Sequence, residues 1–418
     1  MYSTDLLSNE KSKNKYENLK SNKILRIIFN NLSKRKFLDI IKYNKYIQKR
    51  IYININDYKL CSEIYSSIDI EIIPAKNKYG QFINFINKEK EIYYHIYFNN
   101  NKEEIKTNYI KENEEIKIIK IVIGYPVKSF MKLFYKCKCI ESVNFKKFIR
   151  TNINNMNSMF CWCTSLKELN ISNFNTNNVT DMNKMFFGCS SLKELNLSRF
   201  NTNNVTEMDN IFYGCSSLKE LNLSNFNTNN VKIMRSMFDG CSSLKELNLS
   251  NFNTNNVIDM SYMFNKCSSI EKLNLSNFNN NNVKDMNSMF SWCSSLKEIN
   301  FSNFGTNNVI DMGNMFNRCS SLIELNLSSF NTTKVTNMES MFSGCSSLKE
   351  LNLSNFNIAD ETNMRYMFFK CLSLKELTFP NLNLDYFGKV YCMFSNCSDQ
   401  LIKKIKAQYK NIYKHAIF

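Results

Sequence analysis

Apolar and polar residues alternate in a short segment that the chain repeats many times. In one copy, LKELNLS at residues 192–198, the leucines stand at spacings of three and then two. Leu195 and Leu197 alternate with polar neighbours, and this alternation predicts a short strand with one buried face.

A second repeated segment, NVTDMNKMFFGC at residues 178–189, spaces its apolar residues differently. They recur three or four positions apart, as on one face of a helix; they are Val179, Met182, Met185, Phe186 and Cys189. An Asn or Thr before the segment and Gly188 near its end suit the two termini of a helix. The segment therefore predicts a short helix or helical turn on the outer side of the molecule.

Together the two segments form a unit of 26 residues, in which the L-x-x-L-x-L spacing is the signature of a leucine-rich repeat. Each copy has a cysteine with a phenylalanine three positions earlier; the cysteines are Cys137, Cys163, Cys189, Cys215, Cys241, Cys267, Cys293, Cys319, Cys345, Cys371 and Cys397. Such a unit cannot bury its apolar face alone, so an unbroken period indicates stacked units. We predict an α/β leucine-rich-repeat solenoid of about eleven units. A parallel inner sheet roughly 50 Å long and short outer helices are expected.

The consensus N-V-x-x-M-x-x-M-F-x-x-C-S-S-L-K-E-L-N-L-S-N-F-N-T resembles the 26-residue repeat of bacterial surface proteins. That repeat belongs to the BspA-like leucine-rich-repeat proteins, and the resemblance covers residues 126–397. It implies a leucine-rich-repeat solenoid with a non-enzymatic role in binding or adhesion. Proteins of this kind are usually exported or anchored, whereas we find no signal, lipidation motif or anchor in this sequence.

The flanks of the repeated body predict further regions. Residues before the repeats contain two helical patterns and then strand-like runs such as EIYYHIYF and IKIIKIVI. The last residues have apolar positions at helical spacing behind Ser398 or Asp399 as a cap. We predict a helical region at 1–64, a β-rich cap at 65–125, the solenoid at 126–397 and a capping helix at 398–418.

The N-terminal helical patterns faintly resemble an F-box, the helical adaptor found ahead of many intracellular leucine-rich repeats. The similarity lies in I-L-R-I-I-F-N-N-L followed by K-F-L-D-I-I-K-Y-N-K, within residues 22–52. One helix is marked by Ile24, Leu25 and Ile28, and a second begins at Phe37. The usual Leu-Pro at the start and Trp near the end are missing, and plain packing of two amphipathic helices is the alternative.

The net charge of +17 is located at the ends of the chain. Residues 1–125 carry +8, residues 126–150 carry +6 and residues 398–418 carry +4, whereas residues 151–397 hold 19 basic and 20 acidic side chains. Because the repeated body is neutral and shows no nucleic-acid-binding module, we do not expect it to bind nucleic acid.

The N-terminus has no apolar signal region, and no apolar run is long enough to form a transmembrane helix. Without an export signal, the 15 cysteines are expected to be reduced thiols. The sequence therefore predicts a cytoplasmic protein, with the cell surface as the alternative.

Neither catalysis nor a cofactor is predicted. The chain has two histidines, His95 and His415, and neither stands near a plausible nucleophile. A column of single cysteines has neither the spacing nor the partner residues of a zinc site, so we assign it to the core. We expect no catalytic residue, no cofactor and no metal.

The exposed positions of the predicted strands are the candidate binding surface, because a solenoid binds most often through its inner face. They form a column of Glu168, Glu194, Glu220, Glu246, Lys272, Glu298, Glu324 and Glu350. We interpret the asparagines that run beside this column as structural residues. Trp162 and Trp292 break the pattern, because each takes a position usually held by Gly or a basic residue, and they join the candidates. In the core, Phe238 is predicted to be buried and Asp239 beside it to be exposed.

These features support several functions. The first is a non-enzymatic scaffold that binds a protein partner, with the inside of the cell as the expected location. The alternatives are a BspA-like surface protein in adhesion or host interaction, and an F-box-like adaptor with a leucine-rich-repeat substrate receptor. Binding of nucleic acid through the basic ends is a further hypothesis.

Overall fold

A computed structural model of the chain describes residues 21–31, 44–51, 59, 63–64, 66–85, 88–380, 389–409 and 414–417. The helices are α1 (Asn22–Asn31), α2 (Lys45–Arg50) and α3 (Asp399–Gln408), with 3-10 turns at Lys88–Tyr93 and Lys414–Ala416. The strands are β1 (Ile68–Pro74), β2 (Gly80–Gln81), β3 (Tyr94–Phe98), β4 (Tyr109–Ile110), β5 (Ile119–Ile123), β6 (Ile140–Lys147), β7 (Glu168–Asn170), β8 (Lys272–Asn274), β9 (Glu298–Asn300), β10 (Glu350–Asn352) and β11 (Glu376–Thr378). The start of the second predicted N-terminal helix, at Phe37, lies outside the described residues.

The β-rich N-terminal region continues into the repeats through one sheet. Its strand order is β3-β5-β1-β6-β7. The first four strands pair antiparallel, whereas β6 and β7 pair parallel. Alternate isoleucines of β1 and β5 are fully or almost fully buried, as expected for strands with an apolar face. The parallel stacking of the repeats therefore starts directly on an antiparallel cap.

Arg150 connects this cap to the first repeats through hydrogen bonds. Its side chain has no solvent exposure, and its guanidinium donates hydrogen bonds to the backbone oxygens of Ser66 at 2.6 and 2.8 Å and of Tyr125 at 2.6 Å. Burial lowers the pKa of Arg150 to about 10. Because a buried cation is costly unless its donors are satisfied, these carbonyls hold the cap in one position against the repeats.

The predicted outer helices are not present in the described repeats. The segment expected to be helical, which ends at each repeat cysteine, consists of consecutive turns. Two residues in every unit adopt positive φ, for example Ser158 at 55° and Trp162 at 62°. Left-handed residues interrupt a right-handed α-helix, so the apolar spacing of three and four belongs to a chain of turns.

Hydrogen bonds in this turn segment alternate between local and inter-unit partners. The amides of Met159 and Cys163 bond within their unit, to the oxygens of Met156 and Phe160. The amide of Phe160 bonds to Met185 O of the next unit at 2.9 Å. Parallel bridges follow the same side without interruption from Ser129 to Asn363. The turn side therefore carries a continuous ladder between units.

The inner sheet is not continuous, in contrast to the prediction. Parallel strands are assigned in the pairs β6–β7, β8–β9 and β10–β11. The equivalent described segments at 194–196, 220–222, 246–248 and 324–326 have no strand assignment. Like charges stand in register along these segments and weaken strand pairing, but Glu350 and Glu376 are also in register where β10 and β11 pair, so charge alone does not decide where strands form. The result is a repeat solenoid with small sheets on the inner face and a continuous ladder on the turn side.

The core of the solenoid consists of stacked columns. Phe238 is completely buried, and its ring stacks on Phe212 at 5.7 Å and on Phe264 at 5.6 Å between centroids. The repeat cysteines donate to backbone oxygens, as in Cys267 Sγ to Phe238 O at 3.2 Å. Each unit thus presents the next one with an apolar surface and with matched polar groups.

Helix α3 follows the last described unit. Ser398 caps it by accepting from the amide of Leu401, and Leu401 and Ile405 are buried. Lys404 forms an ion pair with Glu376 of β11. The helix therefore lies against the end of the stack with its apolar side inward and its basic side outward.

Candidate functional site

The inner face is built from the short LKELNLS segments, whose alternation sends one leucine inward and turns its neighbours outward. The predicted candidates of this column all lie on the inner face and are exposed; they are Glu168, Glu194, Glu220, Glu246, Lys272, Glu298, Glu324 and Glu350. The residues stand in register, as in Lys272 opposite Glu298. Their exposure agrees with the predicted alternation of the strand, and their role in binding stays a prediction.

Concave grooves follow the inner face. One of about 860 Å³ is lined by Glu298, Glu324 and Glu350, with Leu325 and Leu351 in its wall. A second groove of about 1020 Å³ extends over the preceding units. Carboxylates and lysines, among them Lys245 and Lys297, line these grooves together with leucines, so the rims carry both signs of charge over a partly apolar floor.

A lysine column runs beside the glutamates and was not among the sequence candidates. Lys193, Lys219 and Lys245 are exposed, and each directly precedes a glutamate of the candidate column. The Lys-Glu pair in each LKELNLS segment could have indicated this lysine column, but we selected the glutamate column alone. The inner face therefore carries two parallel rows of opposite charge.

The exchanged pair Glu271 and Lys272 has a structural explanation. Lys272 contacts Glu298 at 2.9 Å, and Lys297 contacts Glu271 at 2.8 Å. The ion pair with Lys297 lowers the pKa of Glu271. The exchange places opposite charges in register between two units, and there the strands β8 and β9 pair.

The asparagines next to the glutamates form turns. Asn196 Oδ1 accepts from the amide of Ser198 at 3.0 Å, and Asn222 Oδ1 accepts from that of Ser224 at the same distance. Their acceptor is therefore used by the chain itself, in agreement with a structural reading of this column.

Trp162 and Trp292 lie apart from the inner face, on the turn side. Both have positive φ, and they are 40% and 44% exposed. The guanidinium of Arg318 lies 4.0 Å from the ring centroid of Trp292. The structure therefore separates the two tryptophans from the glutamate column with which they were grouped.

The repeat cysteines are core residues. The described cysteines are free thiols, and those of the central units are fully buried. Burial raises the pKa of Cys215 to about 12, so its thiol stays protonated at neutral pH. Among the described residues, no group of three or more His, Cys, Asp or Glu side chains could hold a metal ion.

The geometry defines a class of protein, a solenoid of stacked 26-residue units. The chain belongs to the family described as "Mycoplasma protein of unknown function, DUF285", whose profile matches residues 128–246, 216–321 and 293–407. No curated protein matches the chain.

Two solved structures are similar in part. A leucine-rich-repeat protein of Leptospira interrogans is 13% identical, with a TM-score of 0.20, over 63% of this chain and 84% of that chain. A chain of the TLR13-ssRNA13 complex is 16% identical, with a TM-score of 0.18, over 62% of this chain and 50% of that chain. No helix in the described part of the chain is long and apolar enough to cross a membrane.

Proposed function

We propose that the chain is a non-enzymatic scaffold whose inner face binds a protein partner. The observation that carries this proposal is the row of exposed carboxylates along the inner face. Glu194, Glu220 and Glu246 follow one another in consecutive units, and none forms an ion pair with another described residue.

The charge arrangement supports a binding role for these three units. Glutamates of neighbouring units lie next to each other, and so do lysines, at the spacing of neighbouring strands, about 4.8 Å. The repulsion between these like charges lowers the stability of the fold. Strands pair where opposite charges face each other, at Lys272 and Glu298, and they also pair at Glu350 and Glu376, where like charges do. A partner that neutralises the row would relieve this repulsion.

The groove floor supports a protein as the partner. Leu247 and Ile299 line one groove and are half-buried. An apolar floor with charged rims suits a polypeptide that offers apolar side chains and complementary charges.

A photo-crosslinking experiment tests this proposal. A photoreactive residue replaces Asn222, and captured proteins are identified in the unchanged chain and in a triple variant, Glu194→Lys, Glu220→Lys and Glu246→Lys. The control reverses three exposed acids of the cap, Glu103→Lys, Glu112→Lys and Glu115→Lys.

We expect one partner whose capture falls at least about tenfold in the inner-face variant and is retained in the cap variant. Equal capture by the two variants would show that the inner face is not the binding surface. Circular dichroism melting of both variants excludes unfolding as the cause.

The BspA-like resemblance supports a more specific alternative, a surface protein in adhesion or host interaction. An F-box-like adaptor is the second alternative, carried by the apolar pattern within residues 22–52. We retain the cytoplasm as the proposed location. Protease treatment of intact cells separates the surface alternative from the other two proposals, because a surface protein is digested and a cytoplasmic one is protected.

A further inference from the structure

We propose that the turn side of the solenoid is a second interaction surface, one that docks on an anionic lipid membrane. This surface, here named the turn edge, comprises the positions five, two and one residues before each repeat cysteine. It is independent of the inner face and of its protein partner.

The turn edge combines basic and aromatic residues in an otherwise neutral solenoid. Its basic residues are all exposed; they are Lys132, Lys136, Lys184, Lys266, Arg318 and Lys370. Its aromatic residues are Tyr135, Trp162, Phe187, Tyr213, Tyr262, Trp292, Tyr366 and Phe369. One acid is present in these columns, Asp239, and its side chain is buried. The outward charge of this edge is therefore positive.

The basic residues of the turn edge are not neutralised by the carboxylates of the adjacent column. Lys132 and Lys136 lie 5.6 and 5.1 Å from the ring centroid of Tyr135. In the adjacent column, Asp311 accepts hydrogen bonds from the amide groups of Asn287 and Asn337 at 3.0 to 3.1 Å. Those carboxylates are half-buried and bonded within the solenoid, whereas the lysines point outward.

A lysine and a tryptophan stand in adjacent units twice along the edge. Lys136 precedes Trp162, and Lys266 precedes Trp292, each by one unit of 26 residues. The two pairs are five units apart, which at about 4.8 Å a unit separates them by about 24 Å along one edge. Two equivalent points on a rigid edge suit a flat, extended anionic surface.

The ring geometry favours lipid over a nucleic acid or a sugar polymer. Binding by stacking needs free ring faces. Here Phe187 and Tyr213 stack on each other at 4.3 Å, and Arg318 covers a face of Trp292. Trp162 covers Gly188 so closely that a Cβ there would come within 2.7 Å of the indole. The two tryptophans keep 40% and 44% of their surface exposed near exposed lysines, and Trp, Tyr and Lys are residues that occupy a membrane interface.

Intrinsic fluorescence tests the proposal on the full chain. The chain has 2 tryptophans, and both lie on the turn edge, so their emission reports on this surface directly. Vesicles of phosphatidylcholine alone are compared with vesicles that also contain phosphatidylserine, at about 0.15 M salt. We expect a blue shift, and quenching by brominated lipid, with the anionic vesicles alone. Vesicle binding without a change in emission would overturn the proposal.

Matched charge reversals locate the surface. The turn-edge variant carries Lys136→Glu, Lys266→Glu and Lys370→Glu. The control carries the same change of charge on the inner face, Lys193→Glu, Lys219→Glu and Lys245→Glu.

Each lysine near an anionic membrane contributes about fivefold to binding, so we expect the turn-edge variant to lose at least about 100-fold in vesicle sedimentation. The control is expected to stay within about threefold. Equal losses would assign the binding to the basic ends of the chain and overturn the proposal. Stronger binding of single-stranded RNA than of lipid, with the same emission shift, would overturn it as well.

Discussion

Asp239 shows how the stack changes the properties of a single side chain. It was predicted to be exposed because it follows the buried Phe238, but the structure leaves 6% of it exposed. The side chain lies between neighbouring units, where Asn265 donates to its Oδ1 at 2.9 Å. The prediction was wrong because the turn places this side chain against Asn265 of the next unit, whereas Phe187 and Tyr213 at the same position of other units stay partly exposed. Burial raises the pKa of Asp239 to about 6.

The raised pKa predicts a pH-dependent gain from Asp239→Asn. An unfolded Asp has a pKa of about 3.9, so the folded state holds its proton more tightly. Ionisation therefore costs stability above about pH 6, and this cost disappears as the pH falls through 6 towards 4. We expect Asp239→Asn to be more stable than the unchanged chain by roughly 1–3 kcal/mol at pH 7.5 and nearly equal at pH 4.

Urea unfolding at both pH values measures this difference. The control is Glu246→Gln, an exposed change on the inner face that should stay within about 0.5 kcal/mol. A gain of equal size at pH 4 and pH 7.5 would show that ionisation of Asp239 is not its source.

At the scale of elements, the junctions between units are held by repeated polar clamps. Thr228 Oγ1 donates to Asn253 O and accepts from Asn253 N, both at 2.8 Å. Asn280 takes the place of this threonine in one unit and is completely buried. Both amide atoms of Asn280 and the hydroxyl of Thr254 have no hydrogen-bond partner among the described residues. Two consecutive junctions in the middle of the solenoid therefore lack their clamp.

Asn280→Thr is predicted to repair this part of the stack. The substitution removes two buried unsatisfied groups and provides a hydroxyl of the type that forms the clamps elsewhere. We expect a gain of about 1–3 kcal/mol in the free energy of unfolding.

The opposite change, Thr228→Asn, serves as the matched control and should cost a similar amount. Both are measured by chemical denaturation. A destabilised Asn280→Thr variant would mean that the asparagine fits its site better than the clamp does.

The elements also show which features the sequence could predict. The 26-residue period located the core columns, such as Phe238, and the exposed glutamates, because each repeats its environment from unit to unit. The prediction of outer helices was wrong because a chain of turns has the same spacing of apolar residues as a helix. Trp162 and Lys184 occupy left-handed positions without being glycine, so composition gave no warning. The gaps in the inner sheet could not be predicted from the unit, because the paired segments at 350–352 and 376–378 follow the same Lys-Glu pattern as the unpaired ones.

On the scale of the whole molecule, the solenoid is a one-dimensional stack with different ends and different sides. One end continues an antiparallel cap through Arg150, and the other lies under α3. The inner face carries paired rows of charge, whereas the turn edge carries lysines and tryptophans. Because each unit contacts its neighbours alone, stability is close to a sum of unit and junction contributions. Damage at one end should therefore stay near that end.

Uncovering the last unit tests this view of the stack. Leu401→Asp with Ile405→Asp places two charges on the buried side of α3, where they should release the helix. The control, Ala407→Asp with Gln408→Asp, places the same charges at exposed positions of the same helix. Hydrogen exchange is followed at the amides of Phe368, in the last units, and Phe238, in the middle. We expect protection of Phe368 to fall by at least about tenfold in the first variant while that of Phe238 is retained, because fraying propagates through junctions one at a time. Loss of protection at both positions together would show that the solenoid unfolds as one cooperative block, and would replace the stack of separable units by a single folding domain.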